Sequence, residues 1–178
     1  RAAGAGMRVH IIQFLKGGHT SELSILENIP NITVMRCDKE YGFTFNMDDT
    51  EKERLTACHN DLLHKASDLI WNKQTDLLIL DEYFCAYGLH LFDREFANRI
   101  VFTCPDTVEL VLTGRNPEPQ FLEKADYVSE IHSVKHPYEN GISAREGIEY
   151  WHTNTFIIPY YPKEIKCNWK YFLSNLEN

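Results

Sequence analysis

The run Leu77-Leu78-Ile79-Leu80-Asp81-Glu82 constrains the fold more than any other feature of the chain. Four consecutive apolar residues make a strand buried on both faces, and such strands belong to parallel sheets with helices packed on each side. Its two acids emerge at the carboxyl end, the edge at which open α/β sheets bind ligands. A carboxylate there is able to hold Mg²⁺ directly or through water. Taken alone, the run reads first as an ordinary strand followed by a polar turn, since apolar runs ending in Asp-Glu are common. Two further polar signatures shift that balance toward a nucleotide enzyme: Leu112-Thr113-Gly114-Arg115, and Val134-Lys135-His136-Pro137 running on to Gly147-Ile148-Glu149-Tyr150.

Apolar runs and helical patterns alternate along the chain. Strands are predicted at residues 7–14, 32–37, 77–80, 100–104, 108–112 and 127–131. The clearest helix follows the second strand: Thr50 and Glu53 make a capping box, and Leu55, Cys58, Leu62, Ala66, Leu69 and Ile70 fall at helical spacing. Shorter helices are predicted within residues 91–98 and over 117–125. Strands alternating with helices imply parallel βαβ units, hence an α/β fold whose sheet is covered on both faces.

With 178 residues and 43% hydrophobic content the chain makes one domain, or one domain with an appendage. No run of about 18 apolar residues occurs, so no membrane span is expected. A net charge of -8 argues against a nucleic-acid partner, whose sequence-independent affinity comes from clustered Lys and Arg. The five cysteines, Cys37, Cys58, Cys85, Cys104 and Cys167, are odd in number and widely spaced, which indicates neither a zinc site nor a disulfide framework and fits a reducing cytoplasm.

Residues 1–6 read as the last turn of a helix with glycine C-cap signals, leading into the first strand. A nucleotide-binding α/β domain places its phosphate-cradling loop at the start of such a helix. No G-x-x-x-x-G-K-[ST] occurs in the sequence. A first strand and phosphate loop are therefore expected upstream of Arg1.

Several separate short motifs now fall in one order: Arg1-Ala2-Ala3-Gly4-x-Gly6-Met7-Arg8-Val9, Gln13-Phe14-Leu15-Lys16-Gly17, Gly42-Phe43-Thr44-Phe45, the Leu-Asp-Glu strand, Thr113-Gly114-Arg115, Ala125-Asp126, Val134-Lys135-His136-Pro137 and Gly147-Ile148-Glu149-Tyr150. In this the chain resembles the cob(I)alamin (corrinoid) adenosyltransferases of the CobA/BtuR type, in register over residues 1–150. The resemblance implies a P-loop NTPase-like (RecA-like) enzyme, usually a homodimer, that transfers the 5′-deoxyadenosyl group of ATP to reduced corrinoid cobalt and releases triphosphate. Cobalt(I) attacks the ribose C5′ in line, so the protein has to neutralise charge growing on a phosphate oxygen.

By the same resemblance Glu82 is the metal-binding carboxylate, a Mg²⁺ ligand, with Asp81 as second choice because it points to the other side of the strand. Arg115 matches an arginine on the triphosphate, where a guanidinium fork suits phosphate oxygens. Arg1 matches an arginine that approaches the nucleoside, and Lys135 and His136 a loop near the nucleotide. His132 and His136 have ligand-pair spacing only on a helix, and residues 127–131 read as strand, so no metal pair is expected there. Phe43 and Phe45 match an aromatic pair that packs on the lower face of the corrin and displaces its axial base, Phe45 standing where the best-known pattern has Trp. Large apolar residues in a loop mark a ligand surface on general grounds as well; the competing assignment is a hydrophobic staple into the following helix.

Residues 151–178 depart from the resemblance. They hold Trp151, Phe156, Tyr160, Tyr161, Trp169, Tyr171 and Phe172, too many aromatics for a disordered linker, and are expected to pack on the sheet's edge, a dimer partner or the corrinoid cleft. A short strand at 156–158 and a helix over 169–176 are predicted there. Two functions follow: the adenosyltransferase, served by an electron-donating flavoprotein, or a non-catalytic corrinoid- or nucleotide-binding homologue without the phosphate loop.

Overall fold

A computed structural model describes residues 1–17, 20–39, 41, 44–132, 134–143, 145, 148 and 169–173. Ala3–Ala5 form a 3₁₀ turn closed by Gly6, whose left-handed φ of 87° is the expected C-cap. β1 (Val9–Gly17), β2 (Ile32–Cys37), β3 (Leu77–Asp81) and β4 (Glu109–Leu112) then build a parallel sheet. Its order, β2-β1-β3-β4, makes the chain step from β1 to one side and return to β3 on the other. The carboxyl ends of β1 and β3 therefore bound the switch point at which α/β sheets open a crevice.

Arg8 fixes the opposite edge. Its side chain donates to both carboxylate oxygens of Asp76, at 3.0 and 2.6 Å, and its backbone N-H donates to the same group at 2.7 Å. Those bonds hold the Asp76 carboxyl down at about 2.

The helices cover the sheet as the apolar patterns require. α1 (Leu23–Leu26) is a single turn. α2 (Asp49–Trp71) buries Leu55, Leu62, Leu63, Ala66 and Ile70 against the central strands, whose Ile12, Phe14, Leu78, Leu80, Leu110 and Leu112 are wholly buried. α2 starts two residues before the position predicted from Thr50 and Glu53. Asp48 is the N-cap: its carboxylate accepts the Glu51 N-H at 2.7 Å, and the Glu51 carboxylate accepts the Asp48 N-H at 3.3 Å. Both D/T-x-x-E patterns are present, and the upstream one catches the first free N-H groups, worth about 1 kcal/mol.

α3 (Tyr83–Gly88), α4 (Arg94–Phe102) and α5 (Pro119–Lys124) complete the cover. α4 overturns the strand predicted at 100–104. Asp93 caps it by accepting the Phe96 N-H at 3.0 Å, and Ala97, Ile100 and Val101 then fall on one buried face. The β-branched pair Ile100-Val101 suggested a strand, but helical spacing and the cap outweigh local propensity.

The far side of the sheet is antiparallel. β5 (Tyr127–Ile131) occupies its predicted span, yet it is separated from β4 by β6 (Trp169–Leu173), which runs antiparallel to both. β6 replaces the helix predicted over 169–176: inserted between two strands, this segment completes their hydrogen-bond ladders, a context that overrides local propensity. The strand predicted at 156–158 lies outside the described residues.

Cys37, the last residue of β2, and Cys58 on α2 form a disulfide, with Cα atoms 6.1 Å apart. This corrects the expectation that the cysteines form no disulfide. The partners are 21 residues apart and meet only because α2 folds back over β2. The bond also withdraws the cysteine-based inference of a reducing compartment. Cys85 and Cys104 are free.

Candidate functional site

The carboxyl ends of β1, β3 and β4 converge on one polar network. Asp81 is its centre: one carboxylate oxygen accepts from Lys16 Nζ at 2.9 Å and from Gln13 Nε2 at 3.3 Å, the other from Thr113 Oγ1 at 2.8 Å. Arg36, on β2, extends the network by donating to Gln13 Oε1 at 3.3 Å and to Thr20 Oγ1 at 3.0 Å; burial lowers its guanidinium pKa. Gln13, Thr20 and Thr113 are buried, so their hydrogen bonds are obligatory.

Glu82 leaves the strand in a different way. It adopts φ 59° and ψ 21°, the left-handed region, and caps α3 without a side-chain bond. Its N-H donates to Thr113 Oγ1 at 3.0 Å, so the same threonine hydroxyl serves both acids. The half-buried Cys85 thiol is pushed up to about 12, first by burial and then by the Glu82 carboxylate to which it hydrogen-bonds, with Arg115 acting in the opposite sense. Glu82, Cys85 and Arg115 are therefore neighbours. Behind Arg115, Glu118 is held by Arg94, which stacks 3.9 Å over the Tyr87 ring, and by Gln120 at 2.8 Å.

The close approach of β4 to α3 depends on Gly114. The Phe84 N-H donates to the Thr113 carbonyl at 3.1 Å, and a Cβ on Gly114 would stand 2.9 Å from the Phe84 nitrogen. This junction brings Glu82 and Arg115 to one end of the sheet.

Other predicted residues lie around this edge or away from it. Lys135 and His136 follow β5, whose carboxyl end shares the edge, and both are exposed. Phe45 belongs to a 3₁₀ turn, Thr44–Asn46, between β2 and α2; Phe43 lies outside the described residues. Arg1 is not brought to this group. It precedes the turn that enters β1, at the sheet's opposite edge. On the outer side of α2 an open groove of about 570 Å³ runs past Lys52, Thr56, Asn60 and Leu89, and a second cleft of about 280 Å³ carries it to Thr44.

Among the described residues, no three His, Cys, Asp or Glu side chains form a cluster able to hold a metal by themselves. Mg²⁺ commonly takes one or two carboxylates and draws its other oxygens from phosphate and water. The partly exposed Glu82 carboxylate at the strand end fits that demand, while both oxygens of the adjacent Asp81 accept from Lys16, Gln13 and Thr113.

The residues not anticipated are Gln13, Lys16, Arg36 and Thr113, to which the sequence assigned no role. Gln13 carried a signal, being a polar residue inside an apolar strand. His59 is the other, wholly buried on α2. It accepts the Leu15 N-H through Nε2 at 3.1 Å and donates through Nδ1 to the Leu91 carbonyl at 3.1 Å, a pairing only the neutral ring can make. Burial lowers its pKa to about 4. The unfolded chain therefore binds the extra proton between about pH 6.5 and 4, so stability is complete above that window and falls as pH drops through it. Chemical denaturation at pH 7 and pH 4.5 is expected to show a loss of roughly 2 to 3 kcal/mol, a loss that shrinks in His59→Gln.

The model of the family ATP:corrinoid adenosyltransferase BtuR/CobO/CobP matches residues 1–150. A corrinoid adenosyltransferase of Pseudomonas aeruginosa is 32% identical over 153 residues, covering 84% of this chain and 73% of the relative. One from Escherichia coli is 30% identical over 152 residues, covering 84% and 74%. The corrinoid adenosyltransferase CobA of Salmonella typhimurium is 28% identical with the same coverage.

Proposed function

The chain belongs to the ATP:corrinoid adenosyltransferase family and is a transferase, and we propose that it moves the 5′-deoxyadenosyl group of ATP onto the reduced cobalt of a corrinoid. In that reaction a cobalt–carbon bond forms at C5′ as the C5′–oxygen bond breaks, and triphosphate leaves with the electron pair. The observation that carries the reading is the meeting of Asp81, Glu82 and Arg115 at the carboxyl ends of β3 and β4, beside the sheet's switch point.

Each group has a task on this reading. Arg115 binds the triphosphate as its charge grows, and Lys135 and His136 belong to the nucleotide's surroundings. Glu82 would hold Mg²⁺ with Asp81 as its neighbour; when bound, the ion neutralises charge on the leaving phosphate oxygens. Thr113 fixes both acids through one hydroxyl. Phe43 and Phe45 receive the corrinoid. A P-loop NTPase-like fold, a homodimer and an electron-donating flavoprotein complete the proposal.

Product analysis tests the reading. With ATP, Mg²⁺ and chemically reduced cobalamin, triphosphate is expected to appear only when the corrinoid is present. Corrinoid-independent release of orthophosphate would instead mark a hydrolase, and corrinoid binding without turnover a binding protein.

A further inference from the structure

Gln13 and Lys16 are three residues apart, so in an unbroken strand their side chains leave opposite faces of the sheet. Yet Gln13 Nε2 and Lys16 Nζ both reach the same oxygen of Asp81. Between them Leu15 takes φ 59°, and the pairing of β1 with β2 breaks between Gln13 and Gly17. A bulge of this kind re-aims the side chain that follows it. A left-handed φ is unfavourable for any residue with a Cβ, and Leu15 is no glycine, so something has to hold it there.

We propose that His59 is a positioning residue for the nucleotide side of the reaction, holding Leu15 in the left-handed turn that swings Lys16 onto Asp81. His59 accepts the Leu15 N-H at 3.1 Å, at the point where the β1–β2 ladder is broken. Its other nitrogen is anchored to the Leu91 carbonyl, and its ring is set edge-on to Phe14 with centroids 5.2 Å apart. With α2 behind it and Leu91 beyond, the imidazole joins three segments at one point. The effect on Lys16 is a matter of geometry alone, whereas its effect on ATP rests on the adenosyltransferase reading.

His59→Phe keeps a ring in the cluster and removes both nitrogens. Leu15→Ile reaches the same turn independently, because a β-branched residue tolerates left-handed φ least. The first readout is the rate at which an amine-reactive reagent labels Lys16, followed by mass spectrometry without nucleotide. Each variant is expected to raise that rate several-fold. The second is ATP affinity by titration calorimetry: His59→Phe and Lys16→Ala should each weaken binding about tenfold, and the double variant no further than about tenfold, since both act through one side chain. Unchanged labelling in folded His59→Phe or Leu15→Ile would overturn the proposal, as would losses that multiply to about a hundredfold in the double variant. Should the parent protein bind no ATP while labelling rises as expected, the adenosyltransferase reading fails and the positioning role of His59 stands.

Discussion

Gly114→Ala is expected to destabilise the protein by about 3 to 5 kcal/mol, a drop of roughly 10 °C in Tm for a chain of this size, and to lower transferase activity about a hundredfold. The new Cβ would meet the Phe84 nitrogen at 2.9 Å, the Phe84 Cβ at 3.0 Å and the Cys85 nitrogen at 3.1 Å. None of these is the free end of a side chain, so relief has to come from moving the start of α3 away from β4. The glycine φ of 133° adds strain of its own. The displaced segment begins at Glu82, and the other side of the junction continues into Arg115, so activity falls with stability. Gly141 is the control. It also has a positive φ, 73°, but nothing stands within 4 Å of its Cβ position. Gly141→Ala should therefore cost only the left-handed penalty of about 1 kcal/mol. Thermal unfolding of the two variants side by side checks the contrast.

Glu82→Gly should separate stability from activity. Glu82 sits at φ 59° with no capping bond from its side chain, a conformation that costs a residue with a Cβ about 1 to 2 kcal/mol. Glycine removes that cost and loses about 0.5 to 1 kcal/mol through the greater freedom of its unfolded chain. The folded protein is thus expected to be unchanged in stability or more stable by about 0.5 kcal/mol. Transferase activity should fall about 10² to 10³-fold, because a charge-stabilising group has gone from the leaving-group side. Glu82→Ala keeps the backbone strain and should show the same activity loss without the gain in stability. Strain retained at this position and spent on aiming a carboxylate is the pattern of a functional site. A stability loss in Glu82→Gly comparable to that of Gly114→Ala would show that the carboxylate is structural instead.

The parts of the fold legible in the sequence were those where one physical signal acted alone. The unbroken apolar run of β3 marked its strand, and a pair of acids after Leu80 marked the carboxyl edge. Where signals competed, the local reading failed. Ile100 and Val101 carry strand propensity, but Asp93 caps a helix whose buried face they complete. β6 is a strand because two other strands flank it, a fact of topology that lies some forty residues from β5 in sequence. The site divides in the same way. Asp81, Glu82 and Arg115 could be named through the resemblance, because an acid pair or an arginine after a buried strand is by itself equally an ordinary polar turn. The role of Lys16 could not, since its direction depends on a left-handed leucine and a histidine on another element. Nor could the Cys37–Cys58 pair, whose partners meet only in the folded chain.

The most direct test of the adenosyltransferase account is spectroscopic. The protein made from its whole reading frame would be mixed with ATP, Mg²⁺ and chemically reduced cobalamin, and the visible spectrum followed for a photolabile alkylcobalamin. The account predicts adenosylcobalamin, formed with one triphosphate per cobalt alkylated and lost in Glu82→Ala. Retained corrinoid binding with no photolabile product, or product undiminished in Glu82→Ala, would contradict it.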